Sequence, residues 1–133
     1  MRYAAFIHKD PDSIYGVSFP DFPGCIAAEA TIERAMISAA DALSLHVASM
    51  EADHEPIPAP RPIEDVMADP DLADWREGAI VTLVPLVRDL GSTTRINVSL
   101  DLGLLQAIDD EARQRKQTRS AFIASAVRKE LTN

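Results

Sequence analysis

The stretch Arg95-Ile96-Asn97-Val98-Ser99-Leu100, near the end of this 133-residue chain, alternates strictly between polar and apolar side chains. A period of two predicts a β-strand with one dry face and one face that presents a guanidinium, an amide and a hydroxyl. Only helical patterns follow this stretch, and a lone strand cannot satisfy its backbone hydrogen-bonding groups. We therefore expect a second copy of the chain to pair with it, strand to strand, over shared helices.

Two short amphipathic helices are predicted after the strand. The first runs from about Asp101, a suitable N-cap, to Arg115, and the second begins after Thr118 and continues to Leu131. Their apolar stripes and the dry face of the strand should together form the core of a homodimer. The expected core residues are Ile96, Val98, Leu100, Leu105, Ile108, Phe122, Ile123 and Val127.

The polar residues of this C-terminal region suit contact with double-stranded DNA. A two-stranded ribbon fits the major groove, and the side chains of Arg95, Asn97 and Ser99 are of the types that read base edges there. The start of the second helix offers unpaired amides beside an arginine, which is a natural seat for a phosphate. The expected phosphate contacts are Thr118, Arg119 and Ser120. The alternative is an ordinary amphipathic strand whose polar face only meets water.

Residues 94–131 resemble a ribbon-helix-helix DNA-binding domain, and Thr118-Arg119-Ser120-Ala121-Phe122 matches the start of that family's second helix. The resemblance implies an intertwined dimer whose paired strands enter the major groove. Two positions depart from the pattern. Relatives often carry glycine between the helices, where this chain has Arg115-Lys116-Gln117, and proline where it has Asp101. A left-handed residue in that turn costs a non-glycine roughly 1 kcal/mol.

The net charge of −8 is divided unevenly along the chain. Up to Gly91 there are six Lys and Arg against sixteen Asp and Glu, and from Ser92 onward there are seven against five. An acidic body therefore carries a mildly basic tail, and DNA affinity depends on local phosphate contacts rather than on total charge. The acidic body suits a basic protein partner, because charge complementarity speeds and orients encounter. Acidity that only keeps the protein soluble is the alternative.

The N-terminal body reads as strands followed by a long helix and a further strand. Turn-forming residues, a helix-capping threonine and a proline-rich connector mark the boundaries. Strands are predicted over 2–9, 14–19, 25–30 and 78–87, a helix from Thr31 to about Met50 or Asp53, a connector over 55–62 and a helical turn over 63–69. Pro85 suggests that the last strand ends at a sheet edge. With a linker over 88–94, Gly91 divides the chain into predicted domains 1–91 and 92–133.

This body resembles the HicB family of antitoxins. The resemblance rests on the run from Tyr15 to Cys25 (YGVSFPDFPGC), on Thr31-Ile32-Glu33, on Ala42-Leu43-Ser44-Leu45-His46 and on Pro56-Ile57-Pro58. With the C-terminal region it covers nearly the whole chain. It implies an α+β fold, in which a truncated RNase H-like βββαβ domain precedes a ribbon-helix-helix (βαα) dimerisation domain.

The family resemblance also implies partners. The N-terminal domain of such antitoxins binds and neutralises a small RNA-cleaving HicA-type toxin, and the C-terminal homodimer represses the operon by binding operator DNA. For the toxin contact we expect the exposed strand and turn region around Tyr15, Asp21 and Phe22. Pairing of the N-terminal bodies, which would turn dimers into tetramers, is left open. Two other classes are also open: an orphan ribbon-helix-helix regulator whose N-terminal domain binds a ligand or oligomerises, and a residual nuclease.

The sequence contains no pattern that predicts catalysis, a cofactor, a metal site or a membrane-spanning segment. Asp10 and Asp12 flank a proline in ordinary turn chemistry, and no histidine pair has ligand spacing, so we expect neither enzymatic activity nor a metal site. No apolar run approaches the length that spans a bilayer. The single cysteine, Cys25, excludes an internal disulfide and suits a reducing cytoplasm. Its thiol is either reactive or a small core group.

Overall fold

The computed structural model describes residues 1–132 as a mixed α+β fold with two compact units, Met1–Asp89 and Leu90–Leu131. Asn133, the end of the second predicted domain, lies outside the described residues. None of the helices over residues 1–132 is long and apolar enough to cross a membrane. In chain order the elements are β1 (Arg2–His8), β2 (Tyr15–Phe19), β3 (Phe22–Glu29), α1 (Ile32–Ala52), α2 (Ile63–Ala68), a 3₁₀ turn (Pro70–Leu72), α3 (Ala73–Arg76), β4 (Ile80–Pro85), α4 (Leu102–Gln114) and α5 (Arg119–Thr132).

The four strands form one antiparallel sheet in the order β3-β2-β1-β4. Phe6 of the central strand β1 lies between Ser18 of β2 and Val81 of β4, which fixes the register on both sides. As predicted from Pro85, β4 is an edge strand and ends at that proline. An edge position tolerates proline because no ladder hydrogen bond is needed from its missing N–H.

Helix α1 covers one face of the sheet. It begins where predicted, because Thr31 is its N-cap and the threonine side chain accepts a hydrogen bond from the amide of Arg34. Its apolar stripe packs on the alternate strand residues that face it. The buried side chains of this layer include Tyr3, Ala5, Ile7, Val17, Phe19, Phe22, Cys25, Ala35, Ala39, Leu43, Val47 and Val84.

The segment from α2 to α3 covers the opposite face of β1. Val66 and Leu72 are buried there against Ala4 and Phe6. Trp75 completes the layer: its indole lies edge-on to Phe6 with ring centroids 5.8 Å apart, and its Nε1 donates to the Ser18 hydroxyl at 2.8 Å. The helical turn predicted over 63–69 is present as α2, whereas the 3₁₀ turn and α3 were not predicted.

Strand β3 begins earlier than predicted, at Phe22 instead of Cys25. The proline and glycine at positions 23 and 24 suggested a break, but β3 is an edge strand, which tolerates proline, and Gly24 adopts a φ of 91°, a conformation open to glycine. A register irregularity between Ser18 and Phe19 aligns Phe22 directly opposite Phe19. The connection between β2 and β3 is therefore only a tight turn at Pro20 and Asp21.

Cys25 lies in the core of the N-terminal unit. Its side chain is buried in the layer under α1, and burial raises the pKa of the Cys25 thiol to about 11. A thiol with so high a pKa carries little thiolate near neutrality, and thiolate is the reactive form. Of the two roles left open by the sequence, the structure supports the small core group.

The two C-terminal helices have the predicted boundaries and caps. The Asp101 carboxylate accepts a hydrogen bond from the Leu104 amide at 3.1 Å, and the Thr118 hydroxyl accepts one from the Ala121 amide at 3.1 Å. Between the helices Lys116 adopts a left-handed conformation with φ of 55°. A non-glycine residue in this conformation bears a cost of roughly 1 kcal/mol, as expected from the sequence of this turn.

One arginine anchors the connector that follows α1. Arg61 Nε donates to the Asp21 carboxylate at 2.6 Å, and Arg61 Nη1 donates to the Asp69 carboxylate at 3.0 Å. The Asp21 side chain is 5% exposed, so the Arg61 guanidinium is the counter-charge of a nearly buried anion. A second anchor is the Tyr3 hydroxyl, which donates to the carbonyl of Pro58 at 2.7 Å. The proline-rich connector is therefore fixed at two points.

Replacing Arg61 by alanine should lower the free energy of unfolding of the N-terminal unit by about 2 kcal/mol, because it leaves the Asp21 carboxylate enclosed without its counter-charge. Urea titration followed by the fluorescence of Trp75, the only tryptophan, measures the effect. Arg34→Ala is the matched control: its contact with Glu29 is 3.8 Å long and exposed, so a change within about 0.5 kcal/mol is expected. Equal losses in the two variants would contradict the anchoring role.

Candidate nucleic-acid interface

The segment predicted to be the C-terminal strand has no regular secondary structure in the single chain. Residues 92–100 are exposed, and none of them makes a backbone hydrogen bond within the described part of the chain. A strand needs the backbone of a neighbour, and one chain offers none at this place. The paired strand therefore stays a prediction for an assembly of two copies.

The apolar side chains of this segment lie open to solvent. Ile96 is 73% exposed, Val98 65% and Leu100 39%. Of the other expected dimer-core residues, Val127 is also exposed, and four are only half-buried: Leu105, Ile108, Phe122 and Ile123. Within Leu90–Leu131 the only buried residue is Ala112. A unit this small with a single buried residue leaves most of its apolar surface without cover.

The expected base-contacting residues share this open segment. Arg95, Asn97 and Ser99 are exposed, and their side chains make no hydrogen bond or ion pair to another described residue. Arg95 differs in this respect from the arginines of the helices. Arg113 contacts Asp110 at 3.5 Å and Arg115 contacts Glu111 at 2.7 Å. The guanidinium of Arg95 is thus available to a ligand without breaking an internal contact.

At the start of α5 the three expected phosphate-contacting residues are engaged differently. Thr118 uses its hydroxyl as the helix cap, and Ser120 is exposed. In the described chain, the backbone amides of Arg119 and Ser120 have no hydrogen-bond acceptor, as is usual in a first helical turn. Arg119 forms a two-pronged ion pair with Asp109 of α4, with Nε and Nη2 each 2.8 Å from a carboxylate oxygen. That guanidinium holds the pKa of the Asp109 carboxyl below its usual range. No sequence pattern pointed to this pair.

The region expected to touch a partner protein is less exposed than the sequence suggested. Phe22 is 1% exposed, with its ring centroid 4.7 Å from that of Tyr3 and 5.9 Å from that of His46. Phe22 packs in the core, which corrects its predicted placement in an exposed region. The Asp21 carboxylate is bound by the Arg61 guanidinium. Tyr15 alone keeps part of its side chain accessible, with Lys9 Nζ 5.7 Å from its ring centroid.

The described part of the chain holds no candidate metal site. Within residues 1–132, no group of three or more His, Cys, Asp and Glu side chains is placed so that it could hold a metal ion. Asp10 and Asp12 lie in the turn between β1 and β2, where the Asp10 carbonyl accepts a hydrogen bond from the Ser13 amide at 3.2 Å. The two carboxylates thus occupy a turn of the ordinary kind.

Comparison with known proteins identifies the family. The profile of a family described as the HicB-like antitoxin of bacterial toxin-antitoxin systems matches residues 3–127. An uncharacterised 14.9 kDa protein from the rep-hol intergenic region of Haemophilus phage HP1 (strain HP1c1) is 38% identical over 111 residues, which are 82% of this chain and 80% of that protein.

Several solved structures are similar to the chain, among them the following two. The crystal structure of the Burkholderia pseudomallei antitoxin HicB is 32% identical, covers 96% of both chains and gives a TM-score of 0.56. A chain of the HicA3 and HicB3 toxin–antitoxin complex is 28% identical, with a TM-score of 0.54; the match spans 65% of this chain and 99% of that one. The profile match over nearly its whole length shows that this chain belongs to the HicB-like antitoxin family.

Proposed function

We propose that the chain neutralises a HicA-type, RNA-cleaving toxin with its N-terminal unit and, as a homodimer, represses its own operon in the cytoplasm through a ribbon-helix-helix contact with DNA. The N-terminal unit would be a truncated RNase H-like domain. The single observation that carries the DNA-binding half is the open segment 92–100, whose dry face and backbone both lack partners in one chain. The toxin-binding half is supported by the family and by the charge of the body.

The support for a toxin partner is partly electrostatic. The body carries six Lys and Arg against sixteen Asp and Glu, and a protein that handles RNA needs a basic surface to attract phosphates. The similarity to a chain of the HicA3–HicB3 complex supports the same pairing. Tyr15 is the candidate contact residue. Asp21 and Phe22, which are enclosed, would act by holding the turn between β2 and β3 in shape.

Co-expression with its proposed partner, a small basic HicA-type toxin, should restore the growth of cells that the toxin alone arrests. The two proteins should co-purify, and raising the salt concentration should weaken the complex because opposite charges hold it together. Pull-down at two salt concentrations and a growth assay measure this. Continued arrest with no co-purification at low salt would contradict the antitoxin proposal.

Pairing of two chains would supply hydrogen-bond partners for the backbone of the open segment and cover for its apolar face. An antiparallel partner supplies acceptors and donors for the backbone, and the two dry faces together cover Ile96, Val98 and Leu100 over the four helices. The opposite face would then present Arg95 and Asn97 to base edges, with Ser99 beside them. The unpaired amides of Arg119 and Ser120 would point at the flanking phosphates, with the capped Thr118 next to them.

Ile96→Asp should convert the dimer into a monomer, because a charge on the dry face would be buried at a cost of several kcal/mol. Gel filtration with light scattering measures the mass. Asn97→Asp is the matched control, since it adds the same charge to the neighbouring wet-face position and should leave the dimer intact. A mass that is unchanged by Ile96→Asp would contradict a core shared through this segment.

Arg95→Ala should weaken binding to the DNA upstream of the chain's own gene by roughly 1–3 kcal/mol, because a base contact through two hydrogen bonds is lost. Fluorescence anisotropy with a labelled duplex measures the affinity, and gel filtration checks that the dimer persists. Arg34→Ala removes the same charge from the N-terminal unit and should change the affinity little. An unchanged affinity and footprint for Arg95→Ala would refute the assignment.

A further inference from the structure

The ion pair between Asp109 and Arg119 joins the two C-terminal helices at the proposed DNA-binding end of α5. Both contacts are 2.8 Å long, and the parallel arrangement uses the Nε–Nη2 edge of the guanidinium. The pair is accessible, with 55% of the Arg119 side chain and 32% of the Asp109 side chain exposed. A ligand in solvent can therefore reach the arginine, but it must compete with a carboxylate for that edge.

The competing ligand at this position would be a DNA phosphate. Arg119 is the first residue of α5, beside backbone amides that have no acceptor in the described chain. Phosphate and carboxylate bind the guanidinium fork through the same two parallel hydrogen bonds, so one displaces the other. In the single chain the Asp109 carboxylate occupies the place that a phosphate oxygen would take.

We propose that Asp109 is a specificity-determining residue of the DNA interface: it keeps Arg119 from loosely bound phosphates and yields it to a phosphate fixed by strands docked in the major groove. The proposal rests on the proposed DNA-binding function. Non-specific affinity comes almost entirely from phosphate contacts, so withholding one arginine lowers it. Docked strands hold the backbone in one register, and a phosphate held at α5 can then compete with the carboxylate.

The acidic residues next to Asp109 also form ion pairs with arginines of the C-terminal unit. Asp110 and Glu111 follow Asp109 on α4 and contact Arg113 and Arg115 within the same helical region. These pairs span three or four residues along α4, whereas Asp109 reaches across to the next helix. Asp109 is therefore the member of the acidic run that acts on a proposed phosphate-contacting residue.

The test compares four full-length variants with the unmodified dimer: Asp109→Asn, Asp110→Asn, Arg119→Ala and the double variant Asp109→Asn/Arg119→Ala. Affinity is measured for the DNA upstream of its own gene and for a scrambled duplex, over a series of salt concentrations. Asp109→Asn should bind the scrambled duplex roughly 3- to 10-fold more tightly and steepen the salt dependence by about one phosphate contact, so that the preference for upstream DNA falls.

The controls separate this role from a purely structural one. If the pair only joins α4 to α5, Asp109→Asn and Arg119→Ala break it equally and should weaken binding alike. Our proposal requires opposite signs: Asp109→Asn should gain affinity for the scrambled duplex, whereas Arg119→Ala should lose affinity for the upstream DNA. The gain should also vanish in the double variant and be smaller for Asp110→Asn, which removes the same charge one residue away. Thermal unfolding and gel filtration verify that each variant remains a folded dimer.

Three results would overturn the inference: unchanged or weaker binding by Asp109→Asn, an equal gain in the Arg119→Ala background, or an equal gain from Asp110→Asn. The last two would mean a general charge effect. Failure of the proposed function has a different signature, because the unmodified chain would then bind upstream DNA no more tightly than the scrambled duplex.

Discussion

Burial of β1 on both faces is the constraint on which the N-terminal unit depends. Every residue from Tyr3 to Ile7 is buried, and the strand has hydrogen-bonded neighbours on both sides. Such a strand needs two covering layers, so the chain must supply α1 on one face and the α2–α3 segment on the other. The connector has to pass from one layer to the other around the sheet. Arg61 holds the connector along this path through its hydrogen bonds to Asp21 and Asp69.

The C-terminal unit lacks a buried apolar core like that of the N-terminal unit. Its one buried residue, Ala112, cannot hold two helices and an unpaired segment together by apolar burial. Polar contacts within this unit include the caps at Asp101 and Thr118 and the arginine–carboxylate pairs Arg115–Glu111 and Arg119–Asp109. These contacts set local geometry and add little stability when exposed. In the proposed homodimer a second chain would cover this apolar surface, so that folding and dimerisation of the unit would be a single event.

Much of this architecture was readable from the sequence because it depends on local rules. The cap at Thr31, the stripe of α1 and the caps of α4 and α5 are each encoded within a few residues. What could not be read depends on contacts between distant residues. Trp75 reaches Ser18 across 57 positions and Arg61 reaches Asp21 across 40, so neither leaves a periodic signal. The same holds for Asp109 and Arg119. The start of β3 at Phe22 was missed because its edge position, which tolerates Pro23, is a property of the whole sheet.

The two anchors of the connector also bear on how the protein is degraded. An extended, proline-rich segment is the kind of backbone that enters a protease active site once it is released. Here the hydrogen bonds from Tyr3 to Pro58 and from Arg61 to Asp21 tie that segment to the sheet. Cleavage would then require these hydrogen bonds to break. The rate of cleavage would follow the small fraction of molecules in which the unit is locally open. The rate at which the chain is degraded would therefore depend on how often its sheet opens.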